Sequence, residues 1–211
     1  MRLQIALDRL DLDVATRVAA QVADHTDWIE VGTSLIKRYG MLSVREVVAA
    51  AGTVPVLADL KTADDAATEF GMAFDAGARG ATVLASATEA TIDRSTELAR
   101  QAGAEVVLDL LAVSQQRRDT LLDRLPADVI FAAHLGKDAQ NAGGGAEELL
   151  GSWTRGRRIA VAGGLAESTL ARLVDTHSDL RAIVGSAVTG AADPATSAER
   201  LSTMVKGKQT R

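Results

Sequence analysis

The 211-residue sequence contains no cysteine, and aromatic residues make up only 3% of it. The absence of cysteine excludes disulfide bonds and thiolate metal sites, and it fits a reducing compartment such as the cytosol. With so few aromatics, a core must be built from Ala, Val, Leu and Ile, which suits parallel strands covered by helices on both faces. Only three prolines are present, so few linkers are indicated and we expect a single domain.

An excess of positive charge is also missing, because the formal net charge is −5. This balance gives no sign of a nucleic-acid-binding surface. No apolar run approaches the ~20 residues that a membrane-spanning helix requires. The first residues, Met1–Asp8, are too polar for a secretory signal peptide. We therefore expect a cytoplasmic protein that binds neither nucleic acid nor membranes.

What the sequence does contain is a repeated unit of an apolar strand followed by a helical segment, with a spacing of roughly 25 residues. Such alternation is typical of a parallel sheet, and eight units predict a closed (β/α)8 TIM barrel of the α/β class over residues 1–206, with a tail at 207–211. An open, doubly wound sheet is the alternative. The predicted strands are Leu3–Leu7, Trp28–Gly32, Val54–Leu57, Ala81–Leu84, Glu105–Leu108, Asp128–Ala132, Arg158–Val161 and Ala182–Val184.

Polar residues or glycines follow most of these strands, at the end where a barrel carries its chemistry. Of these, we assign Asp8 and Asp109 to substrate binding. The run Arg155–Arg158, which precedes the seventh strand, is predicted to be a solvated loop at the opposite rim. The strand-end residues are Asp8, Glu30, Asp59, Lys61, Asp109, His134, Gly163, Gly164, Gly185 and Ser186.

The densest group of charges is Asp59, Lys61 and Asp64, after the third strand. Alternate side chains of a strand share a face, so Asp59 and Lys61 should point the same way. Negative charge on both sides should keep Lys61 protonated, which argues against a Schiff-base amine and favours a fixed charge that stabilises an oxyanion. A surface cluster of ion pairs is the structural alternative.

Glu30 and Asp59 end neighbouring strands, so their carboxylates can converge on one point. Oxygen ligands without His or Cys favour a hard cation such as Mg²⁺. Two carboxylates neutralised by Lys61, without metal, are an equally good interpretation of the spacing.

His134 and the glycine pairs complete the candidate site. A histidine at a strand end can transfer protons near neutral pH, although it can also be a hydrogen-bonded residue of the rim. Gly163-Gly164 and Gly185-Ser186 follow the seventh and eighth strands, where barrels often bind phosphate through backbone N–H groups. Each pair could instead serve only its turn.

Several of these segments, in the same order, resemble a known family. Asp59-x-Lys61-x-x-Asp64 is similar to the D-x-K-x-x-D signature of the orotidine monophosphate decarboxylase suprafamily. Within it, the chain is most similar to the 3-hexulose-6-phosphate synthases, from Leu3 to about Met204. The other matching segments are Leu3–Asp8, Ile29–Thr33, Leu35–Lys37, His134–Gln140, Ala162–Gly164 and Gly190–Pro194.

The resemblance implies a homodimer of barrels with shared active sites, in which Asp64 reaches into the partner's site. It implies Mg²⁺ bound by Glu30 and Asp59, and a sugar phosphate bound by the last two loops. The implied reaction is the reversible aldol addition of formaldehyde to D-ribulose 5-phosphate. His134 would remove a proton from C1, and Mg²⁺ and Lys61 would stabilise the resulting enediolate.

Two other functions remain open at this point. The sister family, the 3-keto-L-gulonate-6-phosphate decarboxylases, forms a similar enediolate by losing CO₂. Asp109 matches the synthases, and Gly185-Ser186-Ala187 lacks the arginine that follows the corresponding glycine in the decarboxylases. In contrast, Lys137 stands where the decarboxylases have an arginine. Ser34 departs from the proline usual in synthases, and Asp65 departs from the alanine usual in both families. The alternative from another class is a sugar-phosphate-binding protein without turnover.

Overall fold

The structure, a computed structural model, describes residues 1–177 and 179–207. These residues form eight parallel strands in sequential order, and β8 pairs with β1 to close the sheet. The predicted (β/α)8 barrel is therefore confirmed, and the open sheet is wrong. Residues 208–211 of the predicted tail lie outside the described residues. The strands are β1 (Arg2–Leu7), β2 (Trp28–Val31), β3 (Val56–Thr62), β4 (Gly80–Leu84), β5 (Glu105–Asp109), β6 (Ile130–His134), β7 (Arg158–Ala162) and β8 (Leu180–Val184).

Helices follow the strands and cover the outside of the barrel. Within the described chain, no helix combines the length and the apolar character needed to cross a membrane. The helices are α1 (Leu12–Val22), α2 (Thr33–Tyr39), α3 (Met41–Ala51), α4 (Ala66–Asp75), α5 (Glu89–Gln101), α6 (Gln115–Arg124), α7 (Lys137–Asn141), α8 (Glu167–Thr176), α9 (Ser186–Thr189) and α10 (Pro194–Lys206).

Successive side chains of each strand point to opposite faces of the sheet, so the strands contribute to two separate cores. On β1, Leu3, Ile5 and Leu7 are fully buried and belong to the large core between sheet and helices. The opposite face of the strands fills the barrel interior with a smaller apolar layer. This inner layer consists of Trp28, Leu57, Val107, Ile130, Ala132 and Ala160, with Ile183 packed against it.

Three charged residues at the starts of strands lie on the amino-terminal side of the inner layer. We call them the amino-terminal cluster: Glu105, Arg158 and Arg181. Both guanidinium groups donate to Glu105, Arg181 from 2.5 Å to Oε2. Arg181 also lies over the Trp28 ring, with its Cζ 4.6 Å from the ring centroid. The charges of both arginines outweigh the effect of burial and lower the pKa of Glu105.

The arginine run before β7 is only in part the solvated loop that its sequence predicted, because Arg155 and Gly156 are exposed whereas Arg157 and Arg158 bind other parts of the chain. Arg157 donates to the backbone carbonyls of Leu122 and Leu125, at the end of α6. Arg158 is the first residue of β7, and its side chain turns towards Glu105. Unpaired carbonyls at a helix end and a half-buried carboxylate recruit these guanidinium groups.

Candidate active site

A cavity of about 380 Å³ opens at the carboxyl ends of the strands. That volume is in the range of small-molecule sites, and the residues around it are mostly strand ends and the loops that follow them. The predicted site residues that line it are Asp8, Glu30, Asp59, Lys61, Asp109, His134, Gly163, Gly164, Gly185 and Ser186.

Asp64 is the predicted site residue that does not line this cavity. It is exposed, in the turn between β3 and α4. Its position in the sequence predicts a contact with Lys61, but the second carboxylate on Lys61 belongs to Asp109, at the end of β5. The expectation that Asp64 works in a partner's site stays a prediction.

Lys61 has an unusual backbone. Its φ is +51°, in the left-handed region that side chains other than glycine rarely adopt. Between Ala58 and Thr62 on β3, which are four residues apart, the paired positions on β4 are Ala81 and Val83, only two apart. The two extra residues of β3 form a bulge that re-aims the end of the strand. Lys61 thus reaches Asp59 from a distorted strand, and not by the regular alternation that its sequence suggested.

The ammonium group of Lys61 bridges two carboxylates. Its Nζ lies 2.9 and 2.8 Å from the two oxygens of Asp59, and 2.8 Å from Oδ2 of Asp109. Burial would lower the pKa of Lys61, but the charges of both aspartates outweigh it and raise that pKa above its ordinary value. Lys61 is therefore a fixed positive charge at neutral pH.

His134 is oriented by Asp109. Its Nδ1 lies 2.9 Å from Oδ2, and Asp109 is almost fully buried, with 3% of its side chain exposed. Burial would raise the pKa of Asp109, but the hydrogen bond from His134 and the charges of His134 and Lys61 lower it to about 2. An ionised carboxylate only accepts, so Nδ1 carries a proton and Nε2 is the basic nitrogen of the neutral ring. Burial opposes protonation of His134, yet contact with Asp109 raises its pKa overall.

Glu30, on β2, differs from Asp109 in its electrostatic environment. Burial, together with the nearby negative charge of Asp59, raises the pKa of Glu30 to about 7. A neutral amide binds it, since Nε2 of Gln4 donates to Oε2 over 2.5 Å. Glu30, Asp59, Lys61, Asp109 and His134 are called the carboxyl-end cluster below.

Asp8 is held at the rim of the cavity by the loop after β2. The N–H of Ser34 donates to Oδ1 of Asp8 over 3.1 Å, and the Ser34 hydroxyl donates to the same oxygen. That hydroxyl in turn accepts from the N–H of Arg9 over 3.0 Å. Asp8 lies so close to Gly32 that a Cβ there would come within 2.7 Å of the Asp8 side chain. Ser34, which stands in place of the proline usual in synthases, therefore makes two hydrogen bonds to Asp8 that a proline could not make.

The glycine loops lie side by side, after β7 and β8. Gly163 has a φ of +118°, and a Cβ on it would stand 2.4 Å from the carbonyl oxygen of Leu135. Both facts require glycine, so the loop backbone can approach the cavity closely. Gly185 and Ser186 border the cavity from the adjacent strand.

Sequence reasoning missed three polar residues that hold the carboxylates of Glu30 and Asp59. Gln4 binds Glu30, Thr82 donates to Oδ1 of Asp59 over 2.9 Å, and Thr33 donates to Oδ2 over 2.6 Å. A signal for Gln4 and Thr82 exists, because each is a lone polar residue within an apolar strand. Thr33, at the start of α2, has no such signal.

The donor set limits the kind of metal that could bind. In residues 1–177 and 179–207, no group of three or more His, Cys, Asp or Glu side chains is arranged to hold an ion. Glu30 and Asp59 offer two carboxylates and no nitrogen or sulfur. Such a pair suits a hard cation that keeps several waters.

Comparison with known proteins decides the family. The model of the "Orotidine 5'-phosphate decarboxylase / HUMPS family" matches residues 1–201. The chain belongs to this family. The family match covers every strand of the barrel, so the candidate site lies wholly within the matched segment.

Two kinds of relative within or near this family are similar over the full length. A 3-hexulose-6-phosphate synthase of Staphylococcus aureus is 34% identical over 99% of this chain and 100% of its own. The crystal structure of a 3-hexulose-6-phosphate synthase from Salmonella typhimurium is 36% identical, covers 97% of this chain and 98% of its own, and has a TM-score of 0.90. A 3-keto-L-gulonate-6-phosphate decarboxylase from Vibrio cholerae is 27% identical, with coverages of 98% and 97% and a TM-score of 0.81.

Proposed function

We propose that this protein is an aldehyde-lyase of the 3-hexulose-6-phosphate synthase type, which adds formaldehyde to D-ribulose 5-phosphate and also catalyses the reverse reaction. The observation that carries the proposal is the continuous contact from His134 through Asp109 to Lys61. This contact supports the proposal, because proton abstraction next to a carbonyl requires a proton acceptor and a nearby positive charge. The names of the similar 3-hexulose-6-phosphate synthases support a sugar-phosphate substrate.

In the proposed reaction, Nε2 of His134 removes a proton from C1 of the pentose phosphate. Negative charge then develops on the substrate oxygens, and the ammonium group of Lys61 stabilises it. The C1 carbon forms a bond to the formaldehyde carbon, and the aldehyde oxygen takes up the proton that His134 carries. Asp109 keeps the imidazole in the tautomer that this transfer needs.

We also propose that Glu30 and Asp59 bind Mg²⁺. The raised pKa of Glu30 supports this, because a divalent cation would offset both its burial and the repulsion from Asp59. When bound, the ion supplies positive charge to the substrate oxygens.

The phosphate is assigned to the adjacent loops at Gly163-Gly164 and Gly185-Ser186. The absence of a Cβ at Gly163 supports this, since the backbone can come close to a phosphate there. Asp8 is assigned to a substrate hydroxyl, because Ser34 occupies Oδ1 and not Oδ2.

A keto-gulonate phosphate decarboxylase is the second candidate. Lys137, in the first turn of α7, lines the cavity together with His134. A second cation there could deliver a proton to an enediolate, which the decarboxylase reaction needs and the aldol addition does not.

The deciding experiment supplies Mg²⁺ and ribulose 5-phosphate, with and without formaldehyde, and in parallel 3-keto-L-gulonate 6-phosphate. Consumption of formaldehyde that depends on the pentose phosphate supports the aldolase. Release of CO₂ from the keto-gulonate alone supports the decarboxylase. Binding of phosphosugar without turnover of either substrate would leave only a binding protein.

The proposed homodimer has its own test. Asp64→Ala and His134→Ala are each expected to be inactive, and they are mixed after mild unfolding and refolding. If Asp64 completes the partner's site, half of the dimers are hybrids with one intact site each, and about one quarter of the activity returns. No recovery in a mixture shown to contain hybrid dimers would contradict a shared site.

A further inference from the structure

One buried hydroxyl contacts both charged residues of β3. Thr82, in the middle of β4, has 4% of its surface exposed. Its Oγ1 accepts a hydrogen bond from the backbone N–H of Lys61 over 2.8 Å and donates one to Oδ1 of Asp59 over 2.9 Å. Asp59 as a carboxylate only accepts, so the direction of both bonds is fixed.

The bond to Lys61 falls on the one part of β3 whose pairing with β4 is irregular. Ladder pairing stops at Ala58 and resumes at Thr62, and Lys61 lies between them with a left-handed backbone. A backbone N–H in a bulge lacks the ladder carbonyl that regular pairing would provide. The hydroxyl of Thr82 takes the place of that carbonyl.

We infer that Thr82 is a positioning residue: its single hydroxyl holds the left-handed backbone of Lys61 and the carboxylate of Asp59 in one arrangement. The ammonium group then stays between Asp59 and Asp109, where the proposed reaction needs it. The consequence for catalysis rests on the proposed function, whereas the arrangement itself can be tested without turnover.

The test compares variants of Thr82 in the full chain. Thr82→Val keeps the shape and removes the hydroxyl, and Thr82→Ser keeps the hydroxyl. Because a misplaced catalytic group costs up to ~100-fold in rate, we expect Thr82→Val to lower kcat by roughly 10- to 100-fold. The KM for ribulose 5-phosphate should change little, since the phosphate loops are on other strands, and Thr82→Ser should restore most of kcat.

Thr26→Val is the matched control. Thr26 is also a buried threonine, and its hydroxyl contacts the backbone oxygens of Leu3 and Trp28, outside the cavity. The Thr26→Val variant should lose about as much stability as Thr82→Val, while its kcat stays unchanged. An equal loss of kcat in both valine variants would overturn the inference, because the loss would then reflect general destabilisation.

NMR provides the readout that does not depend on turnover. The amide resonance of Lys61 should shift, and its hydrogen exchange accelerate, in Thr82→Val but not in Thr82→Ser. If Thr82→Val does not fold, Thr82→Cys, a weak hydrogen-bonding partner, replaces it with the same expectations. Unchanged Lys61 amide behaviour together with wild-type kcat would overturn the inference. If the wild type itself turns over neither substrate, the proposed function fails and the NMR comparison alone decides on Thr82.

Discussion

The two ends of the barrel interior both contain buried charges, but only at one end do the carboxyl groups outnumber the cations. In the amino-terminal cluster, two guanidinium groups surround the carboxylate of Glu105, and its pKa is lowered. In the carboxyl-end cluster, three carboxyl groups share one ammonium group and one imidazole, and the pKa of Glu30 rises to about 7. Burial is present at both ends, so what distinguishes the carboxyl-end cluster is an excess of carboxyl groups over cations, whereas the one carboxylate of the amino-terminal cluster is fully paired.

The same difference appears in what surrounds each cluster. Trp28 covers Arg181 at the amino-terminal end, whereas a cavity opens onto the carboxyl-end cluster. A cluster whose carboxylate is fully paired contributes to the fold, and a cluster with an excess of carboxyl groups beside a cavity can bind ions and substrates.

Removing the cation of the carboxyl-end cluster should have the largest effect. In the proposed reaction Lys61 stabilises developing negative charge, so Lys61→Met should lower kcat by about 10²–10³-fold. Arg181→Met, the equivalent change in the amino-terminal cluster, should lower stability and leave kcat nearly unchanged. Steady-state kinetics and urea unfolding of both variants check this, and an active Lys61→Met would refute the role of Lys61.

Removing the carboxylate of the amino-terminal cluster should instead affect folding. Glu105→Gln leaves Arg181, with 4% of its side chain exposed, without its counter-ion, and we expect a loss of about 3 kcal/mol in the free energy of unfolding. Glu97→Gln removes the exposed partner of Arg100 and should change nothing measurable. Urea unfolding monitored by circular dichroism gives both values. Equal stability of the two variants would contradict a structural role for the amino-terminal cluster.

The raised pKa of Glu30 predicts how pH and Mg²⁺ act together. A carboxyl group with a folded-state pKa of about 7 and an ordinary value of 4.5 stabilises the fold fully below pH 4.5. This contribution is lost as the pH rises through 7, so Glu30→Gln should flatten that part of the pH–stability curve.

Mg²⁺ should offset this loss of folding stability at pH values where Glu30 is ionised. At ten times its Kd it should add about 1.4 kcal/mol, or roughly 3–6 °C in Tm, at pH 8. The increase should be smaller at pH 5.5, and it should vanish with EDTA or in Glu30→Gln. Thermal unfolding at the two pH values measures it. An equal Mg²⁺ effect in Glu30→Gln would exclude Glu30 as a ligand.

The smallest effect is expected at the rim of the carboxyl-end cluster. Ser34→Ala removes one hydrogen bond to Asp8, and a loss of about 1 kcal/mol corresponds to a roughly fivefold higher KM. Ser34→Pro removes both bonds and should raise KM further, with kcat changed less than KM. A KM that is the same in all three proteins would show that Ser34 does not hold Asp8 for substrate.

The sequence was sufficient for the architecture and for the strand-end residues of the cavity. Apolar strands that end in Asp8, Glu30 or His134 repeat at a regular spacing, and a closed parallel sheet brings all strand ends together. That convergence does not depend on side-chain detail, which is why it was predictable.

The contacts within the site could not be predicted in the same way. The bond from Lys61 to Asp109 joins residues 48 positions apart, and it depends on a bulge that the pattern of β3 does not reveal. Asp64 was assigned to Lys61 because it is near in sequence. Arg158 was assigned to solvent because charge runs usually are, yet its carboxylate partner lies on another strand.

Gln4 has a further consequence for how this barrel could be redesigned. Its Oε1 accepts from Arg181 over 3.4 Å, and its Nε2 donates to Glu30, so one amide crosses the inner apolar layer. The other residues of the inner apolar layer separate the amino-terminal cluster from the cavity. The loops after the strands can therefore be exchanged for new chemistry without destabilising the amino-terminal end of the barrel. A redesign that discards Glu30 should therefore replace Gln4 as well, since its amide would otherwise be left half-paired in the middle of the barrel.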